Sequence, residues 1–134
     1  MKHLFFGGIH PKYNKEMSKK RPELRTIEPD TVVIPMVQHI GAPCTPLVKV
    51  GQRVTVGQKI GDGQGLCAPI HASVSGTVIA LEQRYPPGGT KAMCVVIEND
   101  GRDTLFPDLQ KHSSISDLSA EELMNIIREA GITG

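Results

Sequence analysis

The sequence predicts a mainly β fold of short, bent strands with one α-helix near the C-terminus. Three features predict it: a glycine rhythm in residues 49–61, β-branched runs between residues 30 and 98, and a helix-capping motif at residues 119–122. In residues 49–61 (KVGQRVTVGQKIG), glycine alternates with a β-branched residue at every third position, and Val-Gly-Gln occurs twice. This spacing fits neither an amphipathic helix nor an alternating strand. Because glycine adopts positive φ in tight turns without steric cost, the rhythm predicts a chain that turns every few residues, as in small β-barrels and sandwiches.

Size, charge and cysteine content exclude several classes of protein. The chain has 134 residues, about one domain, and its net charge of +1 gives no argument for binding nucleic acid. Its three cysteines, Cys44, Cys67 and Cys94, have neither disulfide-framework nor iron–sulfur spacing, which favours a reducing cytoplasm. The longest apolar run is short and contains Pro35, so we expect no membrane span, and the N-terminus has no signal-peptide pattern.

Charge is distributed unevenly along the chain. Residues 1–28 carry seven Lys or Arg and three Asp or Glu, whereas residues 98–134 carry three and eight, respectively. We interpret the two ends as solvated termini, with docking surfaces for other subunits as the alternative. Residues 1–29 are also interrupted by glycine and proline, which predicts an extended basic arm rather than a helix.

The β-branched runs predict the strands and the core. Pro35 directs the first strand toward an edge or a bend, and Gly76 predicts a bend in a later one. Val54 and Ile60 are expected to point into the core from short strands within the glycine rhythm. The predicted longer segments are residues 30–37, 47–50, 73–81 and 91–98.

The C-terminal part predicts a helix over residues 120–130. Ser119 and Glu122 form a capping box, Leu118 and Leu123 can form a hydrophobic staple, and Gly131 is suited to end the helix. The apolar face of the helix either folds back on the β domain or belongs to a part of the protein outside this chain. That face consists of Leu123, Ile126, Ile127 and Ala130.

Residues 49–61, followed by residues 70–78 (IHASVSGTV), resemble the barrel-sandwich hybrid of lipoyl and biotinyl domains. The resemblance covers roughly residues 30–98. Carriers of that family bear their prosthetic group on a lysine at the tip of a hairpin. The corresponding residues 61–69 (GDGQGLCAP) contain no lysine; Lys59 lies inside the preceding motif and Lys91 lies elsewhere. A carrier domain is therefore the alternative rather than the expected function.

Three separated blocks carry a closer resemblance: residues 7–11 (GGIHP), 38–44 (QHIGAPC) and 68–76 (APIHASVSG). They resemble the N-terminal part of the C subunit of the Rnf electron-transport complex, and more distantly the quinone-reductase A subunit of the sodium-pumping NADH complex. The resemblance covers essentially the whole chain. It implies a membrane-associated parent complex that couples electron transfer between ferredoxin and NAD to ion transport. Within that complex, this subunit is expected to be peripheral, on the cytoplasmic side of the cell membrane. Residues 128–134 resemble the entry to the next domain of that family, so we expect a fragment of a longer subunit.

The resemblance also implies where the cofactors and partners lie. FMN, NADH and 4Fe-4S clusters belong to later domains of the parent subunit, and no Cys-x-x-Cys-x-x-Cys run occurs here. We therefore expect no catalytic, cofactor-binding or metal-binding residue in this chain, and a structural docking role. The expected partners are later domains of the same subunit and other subunits of the complex, and a stand-alone binding module is a further alternative. The expected divisions are an arm at 1–29, the barrel-sandwich hybrid at 30–107, and a linker and helix at 108–134 leading into a flavin and NADH-binding domain.

Three groups of residues are candidate sites. The glycine-rich residues 61–65 are interpreted as a hairpin turn rather than a phosphate cradle, because no helix start follows them. His10, His39 and His71 are interpreted as hydrogen-bonded to loop backbone, because no carboxylate or thiol is spaced to complete a metal set. Cys44 and Cys67 both adjoin an Ala-Pro step; buried inert thiols are favoured over a redox pair.

Overall fold

The computed structural model describes residues 11–20, 26–109, 116 and 118–133, and within them the protein is mainly β. The elements are α1 (Glu16–Lys19), β1 (Thr31–Pro35), β2 (Thr45–Pro46), β3 (Arg53–Val54), β4 (Lys59–Asp62), β5 (Ile70–His71), β6 (Gly76–Arg84), β7 (Ala92–Asn99) and α2 (Ala120–Glu129). The strands form two antiparallel sheets, one of order β1-β7-β6-β3 and one of order β2-β4-β5. The predicted fold class is confirmed.

Strand β7 is one of the two inner strands of the larger sheet. It pairs with β1 on one side and with β6 on the other, and its residues 94–97 are all buried. A continuous apolar run is what a strand covered on both faces requires. Val95 and Ile97 join a single core cluster with Ile34, Met36, Cys44, Val48, Val54, Ile60, Ile70, Ala72, Val74 and Val78.

The glycine rhythm has the predicted structural role. Gly51 and Gly57 adopt φ of 85° and 83°, in the left-handed region that only glycine enters without strain. The amide of Gly51 donates to the Val78 carbonyl at 2.7 Å, so the turn is held to the opposite strand. Val54 and Ile60, which follow the two turns, are 1% and 0% exposed, as predicted.

The prediction of an extended arm over residues 1–29 is wrong for one short segment. Residues 16–19 form α1, where the amide of Lys19 donates to the Lys15 carbonyl at 2.9 Å. Glu, Met and Lys are good helix formers, and Glu16 is favourable in the first turn of a helix. The prolines that predicted an irregular chain lie outside this segment. Residues 1–10 and 21–25 of the predicted arm lie outside the described residues.

The prediction of a strand at residues 47–50 is also wrong, because the sheet pairing takes place at residues 45–46 and the chain turns from Lys49 onward. Strand β2 ends before this segment, and only the Leu47 amide continues the pairing, donating to the Ile60 carbonyl at 2.8 Å. The Lys49 amide then donates to the side chain of Gln52 at 3.1 Å, which closes the turn. The local turn therefore uses the polar groups that a strand would have offered to a neighbour.

The other three predicted strands exist with shifted ends, as β1, β6 and β7. Strand β6 begins at Gly76 and runs to Arg84, and its register irregularity lies between Val78 and Ala80 rather than at the glycine. Gly76 is required for a different reason, because a Cβ there would lie 2.9 Å from the Glu98 carbonyl carbon, with the carbonyl oxygen closer still. Close approach of two backbones is a common reason for glycine in a strand.

The predicted C-terminal helix is confirmed as α2, and both of its caps are formed. The hydroxyl of Ser119 accepts from the Glu122 amide, and the Glu122 carboxylate accepts from the Ser119 amide at 2.8 Å. Gly131 follows the helix at φ 71° and donates its amide to the Arg128 carbonyl at 2.8 Å. The staple between Leu118 and Leu123 stays a prediction.

Candidate functional site

Two loops and one helix meet at the end of the smaller sheet. The first loop follows β1 and the second joins β4 to β5, at the position of the carrier hairpin in the resembled fold. The Ala42 amide donates to the Leu66 carbonyl at 2.8 Å, which ties the loops together. Gly41, at φ 148°, passes so close to that carbonyl that a Cβ would overlap it. The loops are thus held against each other by their backbones.

Cys44, Cys67 and His39 form a cluster between these loops. Their ligand atoms all lie within 4.8 Å of one another, and the two sulfur atoms are 2.9 Å apart. The Cys44 thiol also lies 3.2 Å from the Ala68 carbonyl oxygen, to which it donates. His39 Nε2 accepts from the Ala68 amide at 3.1 Å, so Nδ1 carries the proton and donates to the Ile40 carbonyl at 3.2 Å.

The two thiols have different environments. Cys44 is buried, and its desolvation, with further contributions from Cys67 and Asp62, raises the pKa of Cys44 to about 12. The guanidinium of Arg128 acts in the opposite direction. Cys67 is half-buried and lines an open cavity. Because the thiolate is both the nucleophile and the metal ligand, Cys44 stays inert until a cation or a reaction removes its proton.

The cavity beside the cluster has a volume of about 760 Å³ and a largely apolar wall. The loops contribute Ile40 and Leu66, which are 97% and 77% exposed. The helix α2 contributes Met124 and Ile127, and none of its residues is buried. The apolar face of α2 therefore lines a solvent-accessible groove instead of packing into the core.

Charged side chains hold the C-terminal end of α2 to β4. Lys59 Nζ contacts Asp62 Oδ2 at 3.2 Å and also pairs with Glu129, while Arg128 Nη2 contacts Asp62 Oδ1 at 3.0 Å. The bond to Glu129 raises the pKa of Lys59. Burial alone would raise the pKa of Asp62, but the Gly63 amide and the two cations outweigh it and lower that pKa. Lys59 is thus engaged by two carboxylates and is not a free amine for a prosthetic group.

His71 lies apart from the cysteine cluster, at the junction of β5 and the end of α2. Burial and the nearby charge of Lys59 lower its pKa, while a hydrogen bond with the Glu129 backbone opposes the shift. A Cβ at Gly131 would overlap the Pro69 carbonyl oxygen, so the chain after α2 passes close to this strand. His71 therefore links helix and sheet.

The histidine interpretation is confirmed in one respect and wrong in another. His39 bonds to loop backbone at Ala68 and Ile40, as expected. The backbone partner of His71 is Glu129, which belongs to α2 rather than to a loop, and His10 lies outside the described residues. The argument from sequence spacing against a metal set is wrong for His39, because folding brings Cys44 and Cys67 to it. The Ala-Pro step beside each cysteine was the one feature of the sequence that hinted at a relation between Cys44 and Cys67, and it does not predict how far apart they lie in the fold.

The remaining candidates have ordinary structural roles. Residues 61–62 belong to β4, Gly65 turns the chain at φ 78°, and β5 follows without a helix, so a phosphate cradle is not formed. Lys91 is exposed and precedes β7. The predicted burial is confirmed for Cys44, whereas Cys67 is only half-buried; Cys94, in β7, is buried as well. A 4Fe-4S cluster does not fit these residues, because it needs four thiolates and the chain has three cysteines.

Among the described residues, no helix is long and apolar enough to cross a membrane.

Residues 3–102 match the family model of the RnfC barrel sandwich hybrid domain. The chain is 46% identical over 131 residues to the C subunit of the Na(+)-translocating ferredoxin:NAD(+) oxidoreductase complex of Acetobacterium woodii, covering 97% of this chain and 30% of that relative. It is 41% identical to the C subunit of the proton-translocating ferredoxin:NAD(+) oxidoreductase complex of Clostridium ljungdahlii, covering 97% of this chain and 29% of the relative. It is 39% identical to the C subunit of the ion-translocating oxidoreductase complex of Vibrio cholerae, covering 97% of this chain and 17% of the relative.

The chain thus spans less than a third of the length of these three relatives. The family match extends over the glycine rhythm, both sheets and the cysteine cluster. The resemblance derived from the three sequence blocks and the predicted barrel-sandwich hybrid are therefore confirmed, and the chain belongs to the RnfC barrel sandwich hybrid domain family.

Proposed function

We propose that this domain is a non-catalytic docking module within the C subunit of an ion-translocating ferredoxin:NAD oxidoreductase complex. The observation that carries the proposal is 46% identity, over 97% of the chain, to such a subunit from Acetobacterium woodii. Residues 30–107 form the barrel-sandwich hybrid, residues 1–29 form an arm, and residues 108–134 lead into a flavin and NADH-binding domain. FMN, NADH and 4Fe-4S clusters are bound by later domains of the subunit.

The exposed apolar groove supports the docking role. Ile40, Leu66 and Met124 present large apolar side chains to solvent around one cavity. Contiguous exposed apolar surface of this kind is typical of interaction sites. We assign the groove to a later domain of the same subunit, and the oppositely charged chain ends to other subunits, on the cytoplasmic side of the membrane.

The carrier alternative is disfavoured by the position of the amines. The loop between β4 and β5 has no lysine, and the nearest amine, that of Lys59, is paired with Asp62 and Glu129. A swinging arm needs a free amine at an exposed tip. The intact mass of the chain after expression with a lipoyl or biotinyl ligase should therefore equal the sequence mass.

The proposal is tested in the full-length subunit, in cells that contain the complex. Deleting residues 30–107 should release the subunit from washed membranes and abolish their ferredoxin-dependent reduction of NAD. The variant Ile40→Asp, which places a charge in the groove, should weaken both. Ile79→Asp is the matched control, because Ile79 is also exposed but lies on β6 outside the groove. Full NAD reduction by membranes carrying the deletion would contradict the proposal.

A further inference from the structure

The cysteine cluster has the composition of a metal site. Two thiols and one imidazole converge from two loops, with all three ligand atoms within 4.8 Å of one another. Thiolate and imidazole are soft or borderline ligands that suit Zn²⁺, whereas Mg²⁺ and Ca²⁺ prefer oxygen. We propose that Cys44, Cys67 and His39 bind one zinc ion, with the open cavity beside Cys67 providing the fourth coordination position.

The structure shows which atoms must change for zinc to bind. Tetrahedral zinc with Zn–S bonds of about 2.3 Å separates its two sulfur atoms by about 3.8 Å. The present separation is 2.9 Å, so one sulfur must move outward by roughly 0.9 Å. Cys67 is the side chain that moves, since it is half-buried in a loop, whereas Cys44 is packed in the core cluster.

When zinc binds, the two thiol protons and the hydrogen bond from the Ala68 amide to His39 Nε2 are lost, and bonds from the two sulfur atoms and Nε2 to zinc replace them. Each thiol loses its proton, so the ion enters as two protons leave, and the sulfur atoms become thiolates. His39 Nε2 already carries an acceptor lone pair, which the Ala68 amide now occupies, because Nδ1 carries the proton and donates to the Ile40 carbonyl. The Ala68 amide, which now donates to Nε2, then turns to water from the adjoining cavity.

The surrounding charges permit a cation at this place. Asp62 acts on Cys44 as a nearby negative charge, and Arg128 acts as a nearby positive charge. These two groups are paired with each other at 3.0 Å and act on Cys44 in opposite directions, with the effect of Asp62 the larger. The two thiolates then leave the zinc site neutral overall, which suits a partly buried position.

The test uses the reduced, metal-free 134-residue chain. Zinc affinity is measured by competition with a chromophoric chelator, and Co²⁺ serves as a spectroscopic probe of thiolate ligation. We expect one zinc per chain and a thiolate-to-cobalt charge-transfer band. Cys67→Ser and His39→Gln should each weaken zinc binding by about tenfold or more, since ligand loss costs at least as much as loss of a supporting group.

Two controls make the result specific. His71→Gln removes a half-buried histidine outside the cluster and should leave affinity unchanged, and Cys94 stays in every variant as a core thiol. Cys67 is half-buried, so its serine variant should keep the wild-type far-UV circular dichroism. Absence of the charge-transfer band in the folded wild-type chain would overturn the proposal. So would unchanged zinc affinity in Cys67→Ser, or ready formation of a Cys44–Cys67 disulfide by hydrogen peroxide in excess zinc.

Discussion

Replacing Gly76 with alanine tests the closest backbone approach in the larger sheet. The new methyl group would lie 2.9 Å from the Glu98 carbonyl carbon and 3.3 Å from the Asn99 Cα, with the Glu98 oxygen nearer still. The backbone of Glu98 cannot move away easily, because Glu98 is paired with Thr31 in one neighbouring strand and with Thr77 in the other. Overpacking by one methyl group costs about 1–3 kcal/mol where side chains can adjust. Since backbone must move here, we expect a loss of about 3 kcal/mol or more in unfolding free energy.

Urea denaturation followed by far-UV circular dichroism measures this loss. Gly88→Ala is the matched control, because a Cβ at Gly88 meets no atom within 4 Å and its φ is not in the left-handed region. We expect the control to change stability by less than about 0.5 kcal/mol. A domain of this size has about 5–15 kcal/mol in total, so the difference is well resolved. Equal stability of Gly76→Ala and Gly88→Ala would refute the close-approach argument.

Three further substitutions test other contacts. Ser75→Ala removes a buried hydroxyl that donates to Asp100 at 2.6 Å, and it should lower the unfolding free energy by about 1–3 kcal/mol in the same assay; an unchanged value would contradict this account. In the folded wild-type protein, the bond from Lys59 lowers the pKa of Glu129, and Glu129→Gln weakens this pair. A carboxyl group with a lowered pKa stabilises the folded state above its ordinary pKa of 4.5 and loses that contribution as the pH falls. The difference from wild type in unfolding free energy, about 0.5 kcal/mol because both side chains are partly exposed to solvent, should therefore be present at pH 7 and vanish well below pH 4.5. Ser119→Ala removes the N-cap of α2 and should cost about 1 kcal/mol, whereas helical circular dichroism identical to wild type on heating would speak against it.

Features fixed by adjacent residues could be predicted from the sequence. The turns at Gly51 and Gly57 follow from the steric freedom of glycine, and the α2 cap follows from Ser119 and Glu122 lying three positions apart. In each case the interacting groups are neighbours in the chain. The buried run of β7 was predictable for a similar reason, since a continuous apolar stretch must be covered on both faces.

Features decided by distant partners could not be predicted in this way. Residues 47–50 are of strand-forming types, but the neighbouring strand β4 pairs with β2, and within 47–50 the Leu47 amide alone bonds to β4. The cysteine cluster depends on two loops whose cysteines are 23 positions apart. Their contact is set by the Ala42–Leu66 backbone bond, for which the sequence has no local signal.

The loop between β4 and β5 has different requirements in a carrier domain and in a docking module that share this fold. A carrier needs its reactive side chain at the tip, free of contacts, so that it can swing between sites. Here Cys67 in that loop contacts Cys44, and Leu66 bonds through its carbonyl to Ala42, so the loop is fastened to the one after β1. The end of α2 is joined to the same region by Arg128. Because fastened loops keep an apolar groove in a fixed shape, they lower the ordering cost of binding a partner, and this is the property that a docking module requires.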